Sequence, residues 1–244
     1  LRLRATSSLL SRNDVIIVCS VSCIYGLGSP DEYGSMLVSL KINDIVEIKT
    51  VLRSLVDIHY IRNDMVLEPG TFRLRGDVLE IFPVYDEHPL RIEFFGNEIE
   101  KIYTFDLLTG YKNTELDSYS IYPAKHFVTN EKNLKSSMKN IRNELSDRLK
   151  ELRAEERLLE AQRLEQRTIY DLEMMTELGY CSGIENYSRH LENRKVGERP
   201  SCLIDFFPDD FIVFIDESHV TVPQIRAMYN GDRARKLNLI EYGF

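Results

Sequence analysis

Two stretches of this chain alternate apolar and polar residues, and each alternation turns over at a glycine-led pair. "TFRLRGDVLEIFP" (71–83) does so around Gly76-Asp77, and "LRIEFFGNEIEKIYTF" (90–105) around Gly96-Asn97. Period two places successive side chains on opposite faces of a strand. A glycine-led pair between two such runs supplies the positive φ that a tight hairpin needs. The two stretches therefore predict two antiparallel hairpins. "MLVSL" (36–40) reads as a further strand, and "EIKTVLRSLVDIHY" (47–60) as a helix with Val51, Leu52, Leu55 and Ile58 at helical spacing. Together they predict a small α+β module over 36–122, dominated by antiparallel strands.

The flanks have another texture. "DVIIVCSVSCIYG" (14–26) and "FIVFI" (211–215) are continuous apolar runs, the pattern of a strand buried on both faces of a parallel sheet, and "CLIDFF" (202–207) reads the same way. Residues 1–12 predict a helix with Leu3, Leu9 and Leu10 inward. Ser29 precedes Pro30, as in a capped short helix. Residues 131–177 lack Gly and Pro, and their opposite charges nearly cancel. They predict one charged helical tract whose stripe (Leu134, Met138, Ile141, Leu145, Leu152) is either a packed seam on a solvated arm or a coiled coil. Residues 178–200 are irregular and polar. Residues 222–244 predict a loop and then a helix. The simplest architecture is an α/β core interrupted by the 36–122 module.

Composition limits the function classes. The chain has 244 residues, 43% hydrophobic, 29% charged, with net charge −8. A core is within reach and global disorder is excluded. A uniformly basic polyanion-binding surface is excluded too, though a local basic patch is not. No apolar run is long enough to span a membrane, and no segment reads as a signal peptide. Cys19, Cys23, Cys181 and Cys202 make no C-x-x-C pair, which predicts free thiols in a reducing compartment. The chain opens within an amphipathic pattern ("LRLRATSSLL") and closes on "LIEYGF", so it reads as an internal piece of a longer protein.

The chemistry concentrates in "FIVFIDESHVT" (211–221). An acid ending an apolar strand holds Mg2+ beside nucleotide phosphates in triphosphatases, and the next acid can activate the attacking water. On this reading Asp216 is the metal-side acid, Glu217 the base and His219 a coupling residue. The alternatives are a capping aspartate with a satisfied histidine, or a metal-dependent nuclease, for which no second metal cluster is present. The phosphate loop that should accompany such a site, G-x-x-x-x-G-K-[ST], is missing, because none of the twelve glycines precedes a lysine.

Longer segments carry a resemblance. "SVSCIYGLGSPDEY" (20–33), "GTFRLRGDVLEIFP" (70–83), "LLEAQRLEQRTIYDLEMM" (158–175), "GYCSGIENYSRHL" (179–191), "DFFPDDFIVFIDESHVTVPQIRAMYNGDRARK" (205–236) and "EYGF" resemble, in order, the UvrB family of damage-verifying, helicase-like subunits of bacterial excision nucleases. Transcription-repair coupling factors share a module like 36–122 but not "RLEQRT" or "CSGIENYSRHL". The resemblance implies an α/β fold: part of a RecA-like, P-loop-type motor domain (1–35, 123–177, 201–244) with an inserted UvrA-binding module (36–122) and a second inserted segment (178–200). It implies nucleotide excision repair in the cytoplasm, with ATP and Mg2+ as cofactors of the complete protein. Its partners would be UvrA, damaged DNA and, through regions outside this chain, UvrC. The contact with UvrA maps onto Arg62, Arg73, Arg75, Arg91 and Glu93. Arg73 and Arg75 lie two apart on one strand and share a face, and arginine forks suit partner carboxylates. A solvated hairpin face is the competing reading. Ser22, Tyr25 and Ser29 would be donors to a DNA backbone, against a plain turn. Arg233, Arg235 and Lys236 read as an interdomain or nucleic-acid contact, or as a solvated basic helix.

Overall fold

The computed structural model describes residues 1–126 and 131–243. Its elements, in chain order, are α1 (Arg2–Ser11), α2 (Pro30–Ser35), β1 (Val38–Lys41), α3 (Ile48–Asp57), β2 (Ile61–Arg62), β3 (Thr71–Arg75), β4 (Val78–Phe82), β5 (Leu90–Phe95), β6 (Glu98–Phe105), β7 (Lys112–Glu115), β8 (Ser118–Ile121), α4 (Glu131–Ala154), α5 (Leu158–Leu178), α6 (Ser188–Leu191) and α7 (Ser218–Glu241). The fold is mixed α and β, and contacts divide it into two units.

The first unit comprises Leu1–Val18, Tyr25–Asn130 and Ser201–Phe207. Its centre is a six-stranded sheet in the order β2-β3-β4-β5-β6-β7, antiparallel except for the β2–β3 pair. Both glycine-led pairs close two-residue turns, Arg75 facing Val78 and Phe95 facing Glu98. Gly76 and Gly96 have φ of 61° and 63°. A Cβ at either would touch nothing within 4 Å, so the demand is on the backbone, not on space. The inward half of each alternation fills the core. Phe72, Leu79, Ile81, Ile92 and Ile102 pack with Val51 and Leu55 of α3 and with Ile58 just after it, all 3% exposed or less. Each such side chain contributes about 2 kcal/mol by burial.

A second sheet, β1 with β8, brings the two ends of the module together, Val38 facing Ile121. Three tyrosines tie the β8 end down. Tyr33 Oη donates to the Pro123 carbonyl (3.3 Å), Tyr60 Oη to the Tyr122 carbonyl (3.2 Å) and Tyr85 Oη to the Ser120 carbonyl (3.3 Å). The Tyr122 amide returns a bond to Tyr85 Oη at 2.9 Å. Ser29 caps α2 by accepting from the Glu32 amide, as its position before Pro30 predicts.

The second unit comprises Cys19–Ile24, Glu131–Pro200 and Pro208–Phe244, and Phe244 of "EYGF" lies outside the described residues. The tract predicted as one helix is two. It breaks after Ala154 and resumes at Leu158, with Glu156 in the left-handed region (φ 58°). No Gly or Pro marks the break. Tertiary packing overrides propensity: the chain folds back so that Leu149 and Leu152 meet Ala161. The stripe is thus covered within the chain by α5 and α6, with Ser137 Oγ bonded to the His190 carbonyl at 2.8 Å. Of the two readings, the packed seam is the one the structure shows.

Four further expectations are corrected. Residues 14–20 make no strand, and Ile16 and Val18 are 91% and 96% exposed; 21–24 is a 3-10 turn. "CLIDFF" forms a 3-10 turn over Leu203–Phe206. Residues 211–215 make no strand, with Phe214 90% exposed. The last helix starts directly at Ser218, not after a loop, and carries Pro223 inside it. The reason is common to the runs at 14–20 and 211–215. A strand needs neighbours to bond its amides and carbonyls, and none among the described residues lies beside them.

Candidate partner-binding face and acidic helix start

The outward half of the hairpin alternation builds one polar face of the six-stranded sheet. Register places Arg73 opposite Glu80, Glu80 opposite Arg91, and Arg91 opposite Tyr103. Glu80 is 5% exposed although charged. Arg91 Nε donates to Glu80 Oε1 at 2.8 Å, and Arg73 Nε donates to Glu80 Oε2. Burial pushes the Glu80 carboxyl up, but the two guanidiniums outweigh it and hold it below the ordinary carboxylate range. The Arg91 guanidinium also lies 4.2 Å over the Phe105 ring. Phe105 packs with Leu67, Phe82 and Tyr103 in a small apolar cluster beside the row.

One step along the strands, Arg75 faces Val78, Val78 faces Glu93, and Glu93 faces Lys101. Glu93 accepts from Tyr103 Oη at 2.5 Å and from Lys101 Nζ at 3.4 Å. The tyrosine hydroxyl is the chief cause of its lowered pKa, with Lys101 adding to it. Arg75 is exposed at the strand end. Arg73, Arg75, Arg91 and Glu93 thus share one face. Arg62 does not join them. It pairs with Phe72, which turns inward, and its Nε is held by Asp64 at 3.1 Å at the β2 edge.

Sequence reading missed Glu80 and Tyr103. For Glu80 a signal existed: it is the lone acid between Leu79 and Ile81, and counting back from the Gly76-Asp77 turn places it opposite Arg73.

The acidic motif sits at the start of α7. Asp216 Oδ1 accepts from the Glu217 amide at 3.0 Å, and Thr221 Oγ1 donates to the Asp216 carbonyl at 2.9 Å. Glu217 is the residue before the helix and has φ of 47°, a left-handed conformation costing on the order of 1 kcal/mol outside glycine. Negative charge there suits the helix dipole. His219 Nε2 stands 3.7 Å from Glu217 Oε2, with both side chains at least 70% exposed, so water screens the pair. Asp216 keeps Oδ2 available, and carboxylate oxygens suit Mg2+. No cluster of three His, Cys, Asp or Glu ligands forms among the described residues.

The three hydroxyl candidates part company. Ser22 lies in the 3-10 turn of the second unit, its Oγ 2.9 Å from Ser20 Oγ. Tyr25 and Ser29 belong to the first unit, Tyr25 being 49% exposed and Ser29 occupied as the α2 cap. All four cysteines are free thiols. Arg235 and Lys236 both pair with Asp232 on α7, at 3.1 and 2.9 Å.

Comparison with known proteins supplies independent information. The chain matches the UvrB interaction domain over residues 38–127 and the UvrB third helical domain over residues 132–193. It is 60% identical to the UvrABC system protein B of Geobacillus kaustophilus and 60% to that of Enterococcus faecalis, each over 245 residues. The identity to the Bacillus licheniformis UvrABC system protein B is 61%. These alignments cover 100% of this chain and 37% of each relative, so the chain spans just over a third of the length of the curated relatives it matches.

Proposed function

The chain belongs to the UvrB family, and we propose that it serves nucleotide excision repair by docking UvrA on the outer face of its six-stranded sheet. The observation that carries this reading is the Arg73–Glu80–Arg91 row within the residues matched to the UvrB interaction domain. Arg73, Arg75 and Arg91 present planar donors to partner carboxylates, and Glu93 offers an acceptor beside them. Arg62 contributes only if the partner reaches round the β2 edge. The test is a titration of the purified chain against UvrA. Arg75→Glu, which leaves the Glu80 row untouched, is expected to weaken binding at least tenfold. Unchanged affinity rejects the face.

We further propose that residues 1–35, 123–177 and 201–244 belong to a RecA-like motor domain completed elsewhere in the whole protein, with 178–200 as a second insert. Asp216 and Glu217 would then be the metal-side acid and the general base, and His219 would couple them to the neighbouring lobe. Mg2+, when bound with ATP, neutralises phosphate charge. Asp216 would hold it as an oxygen donor, leaving Glu217 to take the proton of the attacking water. Ser22, Tyr25 and Ser29 would face the backbone of damaged DNA, UvrC would be met by other parts of the whole protein, and the setting is the cytoplasm. Two outcomes are expected. The 244-residue chain hydrolyses no ATP by itself, since it contains no Gly-Lys for a phosphate loop. In a full-length relative, glutamine at the position of Glu217 abolishes ATP turnover and spares UvrA binding. Retained turnover would reject Glu217 as the base.

A further inference from the structure

We propose that Glu80 is the positioning residue of the docking face: a buried, ionised carboxylate that holds Arg73 and Arg91 in place for carboxylates of a protein partner. This rests on the reading of the face as the UvrA-docking surface. Glu80 is 5% exposed on a strand whose neighbours Leu79 and Ile81 are fully buried. Sinking a charge so deep is costly, and an apolar side chain in its place would avoid that cost, so packing alone gives no reason for a glutamate. What it does is local and specific. One oxygen takes Arg73 and the other takes Arg91.

The consequence is pre-organisation. A free arginine carries rotamer entropy that binding must remove. Arg73, held through Nε, has its terminal nitrogens unbonded among the described residues. Arg91 is fixed twice, by Glu80 and by stacking over Phe105. The fork of Arg73 is therefore aimed before a partner arrives. The same geometry favours protein over nucleic acid. Glu80 cancels one of the two charges it bridges, and Glu93 stands in the next row. A phosphate backbone would meet those carboxylates as like charges, whereas a protein partner can answer both signs.

The test is a double-mutant cycle on the purified chain, each variant first shown to be folded by circular dichroism and then titrated against UvrA. Glu80→Gln keeps the side-chain shape and removes the charge. It is expected to weaken binding roughly tenfold or more. Adding Arg73→Lys to it should cost little more, because both act through one fork, whereas adding Arg75→Ala should cost as much as it does alone. A purely structural role would make both losses multiply. Multiplying losses, or wild-type affinity in Glu80→Gln, overturn the positioning role and leave the docking reading intact. Absence of binding by the wild-type chain overturns both. A parallel titration with duplex DNA in which only DNA affinity depends on Glu80 overturns the choice of a protein partner. If Glu80→Gln does not fold, Glu80→Asp takes its place: the charge stays but one methylene is lost, and the same pattern of couplings is expected.

Discussion

Replacing Arg73 by glutamate sets a second carboxylate directly opposite Glu80, since the two positions are register partners across β3 and β4. Directly opposed side chains on adjacent strands have Cβ atoms about 5 Å apart. The Glu80 side chain is 6% exposed and that of Arg73 15%, so water screens the new repulsion poorly. Removing one partner of a buried ion pair costs about 3–5 kcal/mol. Arg91 still holds Glu80, which puts the expected loss at the lower end, about 3 kcal/mol. For a chain of this size that is a fall in Tm of about 6–12 °C. The same reversal at Arg75 faces Val78 from an exposed position and should stay within about 0.5 kcal/mol of wild type. Urea unfolding followed by circular dichroism and tyrosine fluorescence reads both, since the chain has 13 Tyr and no Trp. Adding Glu80→Gln to Arg73→Glu should recover about 1 kcal/mol by removing the like-charge contact. If Arg73→Glu unfolds within about 0.5 kcal/mol of wild type, or no earlier than Arg75→Glu, the Glu80 row does not hold the sheet. The same energetics bear on the proposed docking face. Charge reversal at Arg73 confounds folding with binding, while lysine there does not add a carboxylate.

Other consequences follow from the same framework. Tyr85→Phe removes a hydroxyl that serves both the Ser120 carbonyl and the Tyr122 amide, so it should cost about 1–3 kcal/mol in urea unfolding; a loss below about 0.5 kcal/mol would show that β8 is held by other contacts. Gly76→Ala should cost on the order of 1 kcal/mol purely through its left-handed backbone, and Gly76→Asn less; equal losses would point to sterics instead. His59 and His126 are both held down to about 4, chiefly by burial, with Lys125 adding at His59 and Arg2 at His126. Their ordinary value is 6.5, so the fold favours the neutral rings. Their contribution is complete above pH 6.5 and is lost as pH falls towards 4. The urea midpoint should therefore drop across that window, and less so in His126→Gln; a flat profile in the wild type contradicts the burial of both rings.

Much of the first unit was legible because its signals are local. Period-two alternation and positive-φ turn residues specify the hairpins, helical spacing specifies α3, and Ser29 before Pro30 specifies the α2 cap. Local signals misled where the element depends on what lies beside it. Residues 14–20 and 211–215 have the composition of buried strands, yet composition supplies no hydrogen-bonding neighbour. The break between α4 and α5 had no Gly or Pro to announce it and arises from the packing of one helix on the other.

The candidate partner-binding face divides along the same line. That Arg73 and Arg75 share a face follows from strand geometry alone, and the two-residue turn at Gly76-Asp77 sets Glu80 opposite Arg73 by counting. That Arg91 completes the row could not be counted, because the connection 83–89 between β4 and β5 is too long to dictate a register. Only the packed sheet, by burying Leu79, Ile81, Leu90 and Ile92 on one side, selects the register that leaves Arg91 beside Glu80 on the other. The exclusion of Arg62 was equally a tertiary decision, since its parallel pairing with Phe72 turns it away. Sequence by itself determined the hairpins and which residues alternate together, because those depend on bonds and torsions within a few residues. Tertiary structure decided which charges meet, because register between strands distant in the chain is set by shared burial of their apolar faces.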